Sequence, residues 1–364
     1  MMYSNELKAI KKANRFRERE IYDENIVDFA SNDYLGLADN PELFERAVSR
    51  IRLFKTHAPK ASQLVNGYHQ IHRDFENYLA TCSGFESAMV MGSGFLANLA
   101  LIEALPRKKD ILILDEEFHA SGILASKTVD AKVVFFKHND PQDLKRILDS
   151  HTFKRAIIAV EGIYSMSGNM LSREIFDVAE KYNALLVVDE AHSVGVLGKK
   201  LLGVFEHYQI TPSQNHIKMG TLGKALGSYG AYVLCSNHIA QYLRNRAKAF
   251  IYATAPSLFD IALAHEGFLF IGEHAKELAQ SIKKRQEIVL NAFGKEIDGL
   301  IFALQMQSSK EALQVQKILM SQGFLVGAIR PPTVEKPILR IIPRINYDTS
   351  VLLKMLECIK ESKR

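Results

Sequence analysis

The chain has no tryptophan and only three cysteines among its 364 residues. Cys82, Cys235 and Cys358 are odd in number, lie far apart and form no CxxC pair. That argues against a disulfide framework and against a zinc site, and it favours a reducing compartment. No apolar run approaches the length of a membrane span. No Lys/Arg block stands out either. The net charge of +5 is spread along the chain, which suits an anionic small-molecule substrate at least as well as nucleic acid. The opening residues Met1-Met2-Tyr3-Ser4-Asn5-Glu6 lack the basic-then-apolar order of a secretory signal, and Glu6, Glu18 and Glu20 do not suit a transit peptide. Internal repeats and low-complexity tracts are missing. The expectation is a soluble cytoplasmic protein without a metal site.

What is present is ordinary globular material, 47% apolar and 24% charged, at a length that suits about two domains. Residues 1 to about 22 read as an exposed helix with a modest sticky face formed by Leu7, Ile10 and Phe16. From Ser87 onward short apolar runs alternate with helical segments: 87–91, 111–114, 133–136, 156–160 and 184–188. Continuous apolar runs of this kind predict a mostly parallel sheet buried on both faces. After Cys235 helical periodicity dominates from His238 to about Phe293, broken at Thr254-Ala255-Pro256, and the tail then alternates again. The expected division is an N-terminal segment over 1–40, a large α/β domain over 41–236 and a smaller α+β domain over 237–364.

Three chemistries compete for the polar residues. Gly92, Gly94 and Ala97 satisfy G-x-G-x-x-G/A between a strand and a helix, and Asp115 ends the next strand, as in a dinucleotide-binding oxidoreductase. A P-loop at Gly223-Lys224 fails, because position 218 is Lys and position 225 is Ala. Pyridoxal phosphate (PLP) chemistry uses more of the chain. It needs a phosphate cradle at a helix N-terminus, which Gly92-Ser93-Gly94-Phe95 supplies. It needs an acid facing the ring nitrogen, which Asp189 supplies at the end of an apolar run. It also needs an amine, and Lys224 sits in the Gly-flanked turn Thr221–Gly227. His192 could reach the ring's phenolic oxygen. Each residue alone has a plainer reading: Lys224 as a surface lysine, Asp189 as a turn cap, His192 as a core histidine.

The motifs in order are Ser31-Asn32-Asp33-Tyr34-Leu35-Gly36-Leu37, Ser93-Gly94-Phe95-Leu96-Ala97-Asn98, His119-Ala120-Ser121, 161–168 (Glu161-Gly162-Ile163-Tyr164-Ser165-Met166-Ser167-Gly168), Asp189-Glu190-Ala191-His192-Ser193 and 221–227. By these, the chain resembles the α-oxoamine synthases from about Asn25 to Ile342. The resemblance implies PLP fold type I, the aspartate-aminotransferase-like α/β fold, with PLP as cofactor. It implies that Gly94 and Phe95 lie at the phosphate, that His119 stacks on the ring, and that Ser165, Asp189, His192 and Thr221 contact the cofactor. Lys224 would be the Schiff-base lysine, with His119 and Asp189 its catalytic companions. Thr254 would reach the phosphate bound by a second copy, so a homodimer with shared sites is implied.

The stretch Ile329-Arg330-Pro331-Pro332-Thr333-Val334 is most similar to the biotin-pathway branch, which condenses L-alanine with a pimeloyl thioester on CoA or acyl carrier protein and releases CO2. The competing branches are glycine acetyltransferase, 5-aminolevulinate synthase and serine palmitoyltransferase. By that likeness Asn32, Arg330 and Thr333 would touch substrate and Arg340 would clamp the amino-acid carboxylate. An N-terminal arginine would contribute as well; Arg15, Arg17 and Arg19 are the candidates, with Arg17 expected at the substrate. Two stretches depart from the family pattern. Pro59-Lys60-Ala61-Ser62-Gln63 replaces a Gly-rich Ser-Arg loop, and Val334-Glu335-Lys336-Pro337 shortens the turn between Arg330 and Arg340.

Overall fold

The computed structural model describes residues 2–13 and 15–362. Its strands are β1 (Val27–Asp28), β2 (Ser87–Met91), β3 (Ile111–Asp115), β4 (Lys132–Phe136), β5 (Ala156–Glu161) and β6 (Leu185–Asp189), followed by β7 (His216–Thr221), β8 (Ala231–Cys235), β9 (Phe302–Gln305), β10 (Phe324–Leu325), β11 (Gly327–Ile329) and β12 (Ile338–Ile341). Seven of them form the central sheet, in the order β2-β8-β7-β6-β5-β3-β4. Only β8 runs against the others, pairing antiparallel with both β2 and β7. The expected mostly parallel α/β sheet is therefore observed.

Burial on both faces explains the continuous apolar runs. One face carries Val90, Ile113, Ile158 and Val188 toward the helices Pro41–Arg52, Gln70–Ser83 and Leu258–Phe293. The other carries Met89, Leu114, Ala159 and Val187 toward Gly94–Ala104 and Asn237–Arg246. Helix starts are chemically marked. Asn40 and Asp140 cap helices that open on Pro41 and Pro141, residues with no N–H to leave unpaired.

A third core lies among β9, β12 and the helices Ser309–Ser321 and Thr349–Ser362, and it includes Phe29. Strand β1 joins it by pairing parallel with β10. The part of the N-terminal segment around β1 and Phe29 thus packs with the C-terminal part of the chain, while Tyr34, Leu35 and Leu37 join the core of the large sheet.

Two expectations differ from the structure. The helix expected over residues 1–22 is confined to Ser4–Lys12 and buries no residue; Met1 and Asn14 of that stretch lie outside the described residues. The boundary expected at 236/237 does not match the packing. Ala240, Leu243, Phe250 and the helix from Leu258 to Ile282 pack on the large sheet, and the third core takes over at Val289 within the same helix. The run of helices changed the periodicity of the sequence but not the core it serves. Among the described residues no helix is long and apolar enough to cross a membrane.

Candidate active site

The parallel register brings the chemistry to one edge. Glu161 at the end of β5 pairs with Asp189 at the end of β6, and Asp189 pairs with Met219 in β7, two residues before Thr221. Ligands of open α/β sheets bind beyond these carboxyl ends.

Asp189 is buried and held rigidly. Its Oδ2 accepts from Asn98 Nδ2 at 2.8 Å and its Oδ1 from the Ala191 N–H at 3.0 Å. Asn98 also donates to Ser121 Oγ at 3.0 Å, and Ser121 Oγ lies 2.7 Å from His119 Nδ1. His119, half-buried at the start of helix Ala120–Ser126, is thereby tied to Asp189 through two polar side chains.

Lys224 follows β7 in a turn pressed against the loop 31–39. Gly227 makes this possible: its φ is +59°, and a Cβ there would collide with the backbone of Leu37 and Ala38. Lys224 Nζ lies 2.7 Å from His192 Nε2, and His192 Nδ1 lies 2.5 Å from Tyr34 Oη. Burial pulls the lysine amine down to about 8, against the raising effect of the Asp189 and Glu161 carboxylates. Burial, then the charges of Lys224, Arg340 and His119, hold His192 well below its ordinary value, so its imidazole is neutral. The Tyr34 hydroxyl is pushed up to about 12 by burial, which outweighs the lowering by Arg340.

Arg340 reaches the site from β12. Its Nε donates to the Ser165 carbonyl at 2.8 Å, while its Nη2 is buried with no partner. Asn32 Oδ1 is likewise buried and unpaired. Thr221 Oγ1 donates to the Gly230 carbonyl at 3.1 Å, and a Cβ added at Gly94 would come to rest 3.7 Å from the Thr221 side chain. Gly94 and Phe95 open the helix Gly94–Ala104, where the first N–H groups lack intrahelical acceptors. These features fit PLP: a small-residue cradle of N–H groups, a buried carboxylate and a depressed amine converge, and the polar atoms left unpaired await a ligand.

The rival fingerprint does not survive. β2 neighbours β8 rather than β3, and the Asp115 carboxylate is filled by Tyr164 Oη, His138 Nδ1 and the N–H groups of Glu117 and Asn139. None of it is left for a ribose.

Not every expected residue joins this contact set. Arg17, Phe95, Thr254 and Thr333 are exposed. Thr254 pairs with Ser62 in an isolated antiparallel bridge, next to the stretch that departs from the family pattern. Arg330 is half-buried before the cis Pro331–Pro332 peptide, its carbonyl accepting from the Thr333 N–H at 3.1 Å. Conversely, Tyr34, Asn98 and Glu161 join the site although no role for them follows from the sequence. Glu161 carries the same signal as Asp189, an acid ending an apolar run.

The aminotransferase class I and II family matches residues 24–358. The chain belongs to that family. It is 43% identical over 342 residues to an 8-amino-7-oxononanoate synthase of Helicobacter pylori, covering 93% of this chain and 92% of the relative. The crystal structure of an 8-amino-7-oxononanoate synthase from Francisella tularensis superposes with a TM-score of 0.78 at 29% identity, over 94% of this chain and 99% of that one. A serine palmitoyltransferase from S. paucimobilis, solved with PLP–myriocin aldimine bound, gives a TM-score of 0.89 at 22% identity, over 100% of this chain and 97% of that one. This last likeness shows the fold alone. The family is one of PLP-dependent enzymes of fold type I, and PLP is the cofactor.

Proposed function

We propose that this chain condenses L-alanine with a pimeloyl thioester, on CoA or on acyl carrier protein, to give 8-amino-7-oxononanoate for biotin synthesis in the cytoplasm. The Cα–H proton is removed, a bond forms between alanine Cα and the thioester carbonyl, the C–S bond breaks to release the thiol, and the bond from Cα to the carboxylate breaks to release CO2, with a proton returned to Cα. The observation that carries an amino-acid substrate is Arg340 Nη2, a buried guanidinium nitrogen without a partner beside the Lys224 site. The printed names of the 43% and 29% identical relatives support the biotin-pathway choice.

Bound here, PLP supplies an electron sink for the pair left on alanine Cα. Asp189, fixed by Asn98 and the Ala191 N–H, would hold a proton on the ring nitrogen. Gly94 and Phe95 would hold the phosphate, and His119, Ser165, His192 and Thr221 would hold the ring. Lys224 Nζ anchors the cofactor and, as a neutral amine, takes the Cα proton. An amine near 8 is a competent base around neutral pH. Arg340 pairs with the carboxylate through its planar fork. Arg17, Asn32, Arg330 and Thr333 form the substrate side. Thr254 serves the phosphate of a second copy in a homodimer, which accounts for its exposure in one chain.

A thiol-release assay over alanine, glycine and serine with several acyl thioesters tests the reading. Alanine with pimeloyl thioester is the expected preferred pair; a clear preference for glycine overturns it.

A further inference from the structure

Glu161 is a buried carboxyl at the site edge that the reaction above does not use. Its neighbour in register is the Asp189 carboxylate. Strands in a sheet are about 4.8 Å apart, so two anions side by side here would repel across little solvent. The two acids are served unequally. Asp189 receives a side-chain N–H and a backbone N–H, whereas Glu161 receives only the Ser165 N–H, at 3.0 Å on Oε2, and its Oε1 is buried with no partner. The negative charge therefore rests on Asp189. Burial first and the Asp189 charge next push the Glu161 carboxyl well above its ordinary range, against the lowering by Lys224 and the Ser165 N–H, and Asp115 adds to the push.

The bond that Glu161 does make leads to the substrate clamp. Ser165 gives its N–H to Glu161, and its carbonyl accepts from Arg340 Nε at 2.8 Å. One peptide segment thus spans from β5 to the arginine on β12, and it leaves Arg340 Nη2 unpaired.

We propose that Glu161 is a positioning residue that stays neutral and fixes the Ser165 turn, so that Arg340 presents its free nitrogen to the carboxylate of the amino-acid substrate. This rests on the amino-acid reading of the site given above. A neutral acid is needed because a second anion would compete with the substrate carboxylate for Arg340.

The test is an equilibrium titration of the PLP-loaded enzyme with L-alanine and with ethylamine, the same amine without a carboxylate. Glu161→Ala is expected to weaken alanine binding about 10-fold or more, the loss of one buried bond, and to leave ethylamine within about 2-fold. Glu161→Gln keeps the acceptor for the Ser165 N–H and has no charge, so it is expected to bind alanine within about 3-fold of the unmodified enzyme. In turnover the Ala variant is expected to change KM for alanine more than kcat. Alanine binding unchanged in Glu161→Ala, equal weakening of both ligands, or a 10-fold loss in Glu161→Gln would each overturn the proposal. Should Glu161→Ala not fold, the Gln variant alone decides. Arg340→Met separates the two readings: if it leaves alanine binding unchanged, the amino-acid assignment itself falls. If Arg340→Met weakens alanine and Glu161→Ala does not, only the role of Glu161 falls.

Discussion

Tyr34 Oη lies 2.5 Å from His192 Nδ1, and the opposite nitrogen of that ring lies 2.7 Å from Lys224 Nζ. A residue from the N-terminal loop therefore orients the histidine that meets the central lysine, across 158 positions of chain. Tyr34 is wholly buried, so its partner has no water to fall back on. Tyr34→Phe leaves His192 Nδ1 unpaired and is expected to cost about 1–3 kcal/mol in chemical denaturation. Turnover should fall with it, because the imidazole loses its fixed orientation. Unchanged stability would mean the hydroxyl is not a partner of the ring.

The pH dependence of cofactor capture follows from the Lys224 amine. Its value is lowered from 10.5 to about 8, so the neutral nucleophile accumulates as pH rises through 8 instead of through 10.5. The rate at which cofactor-free enzyme captures PLP should rise about 10-fold between pH 7 and 9 and flatten above that. An ordinary lysine would rise about 100-fold over the same interval without flattening. Stopped-flow absorbance distinguishes the two curves.

Arg344 ties the loop that carries Asn32 and Tyr34 to the C-terminal core. Its Nη2 lies 2.5 Å from Asp33 Oδ2, its Nη1 lies 3.2 Å from Asp28 Oδ2, and its Nε donates to the Asp33 carbonyl at 2.8 Å. Burial raises the Asp33 carboxyl, and Arg344 is the first influence holding it down. Arg344→Met removes that partner and leaves a buried acid behind. The expected loss is about 3–5 kcal/mol of unfolding free energy, with KM for the amino acid rising as the loop loosens. Stability within 1 kcal/mol of the parent, an order-of-magnitude threshold for a buried pair, would contradict the tie.

Local signals made part of this site legible. Asp189 and Lys224 could be read because an apolar run ending in an acid, and a lysine between glycines, are features of a few adjacent residues. The alternation of runs from 87 to 188 predicted the parallel sheet, since burial on both faces leaves no polar alternation. Contacts between distant segments could not be read that way. Asn98 meets Asp189 across 91 positions, and Arg340 meets Ser165 across 175. Glu161 had the local signal but not the register that sets it beside Asp189. The core boundary inside the helix Leu258–Phe293 was hidden because one uninterrupted helix serves two cores in turn.

The account turns on Lys224 as the base at alanine Cα, and solvent exchange of that proton tests it without any acyl partner. In D2O, the PLP-loaded enzyme should exchange the α-hydrogen of L-alanine for deuterium, followed by NMR, and Lys224→Ala should lose that exchange while remaining folded. Exchange at an undiminished rate in Lys224→Ala would contradict the central claim.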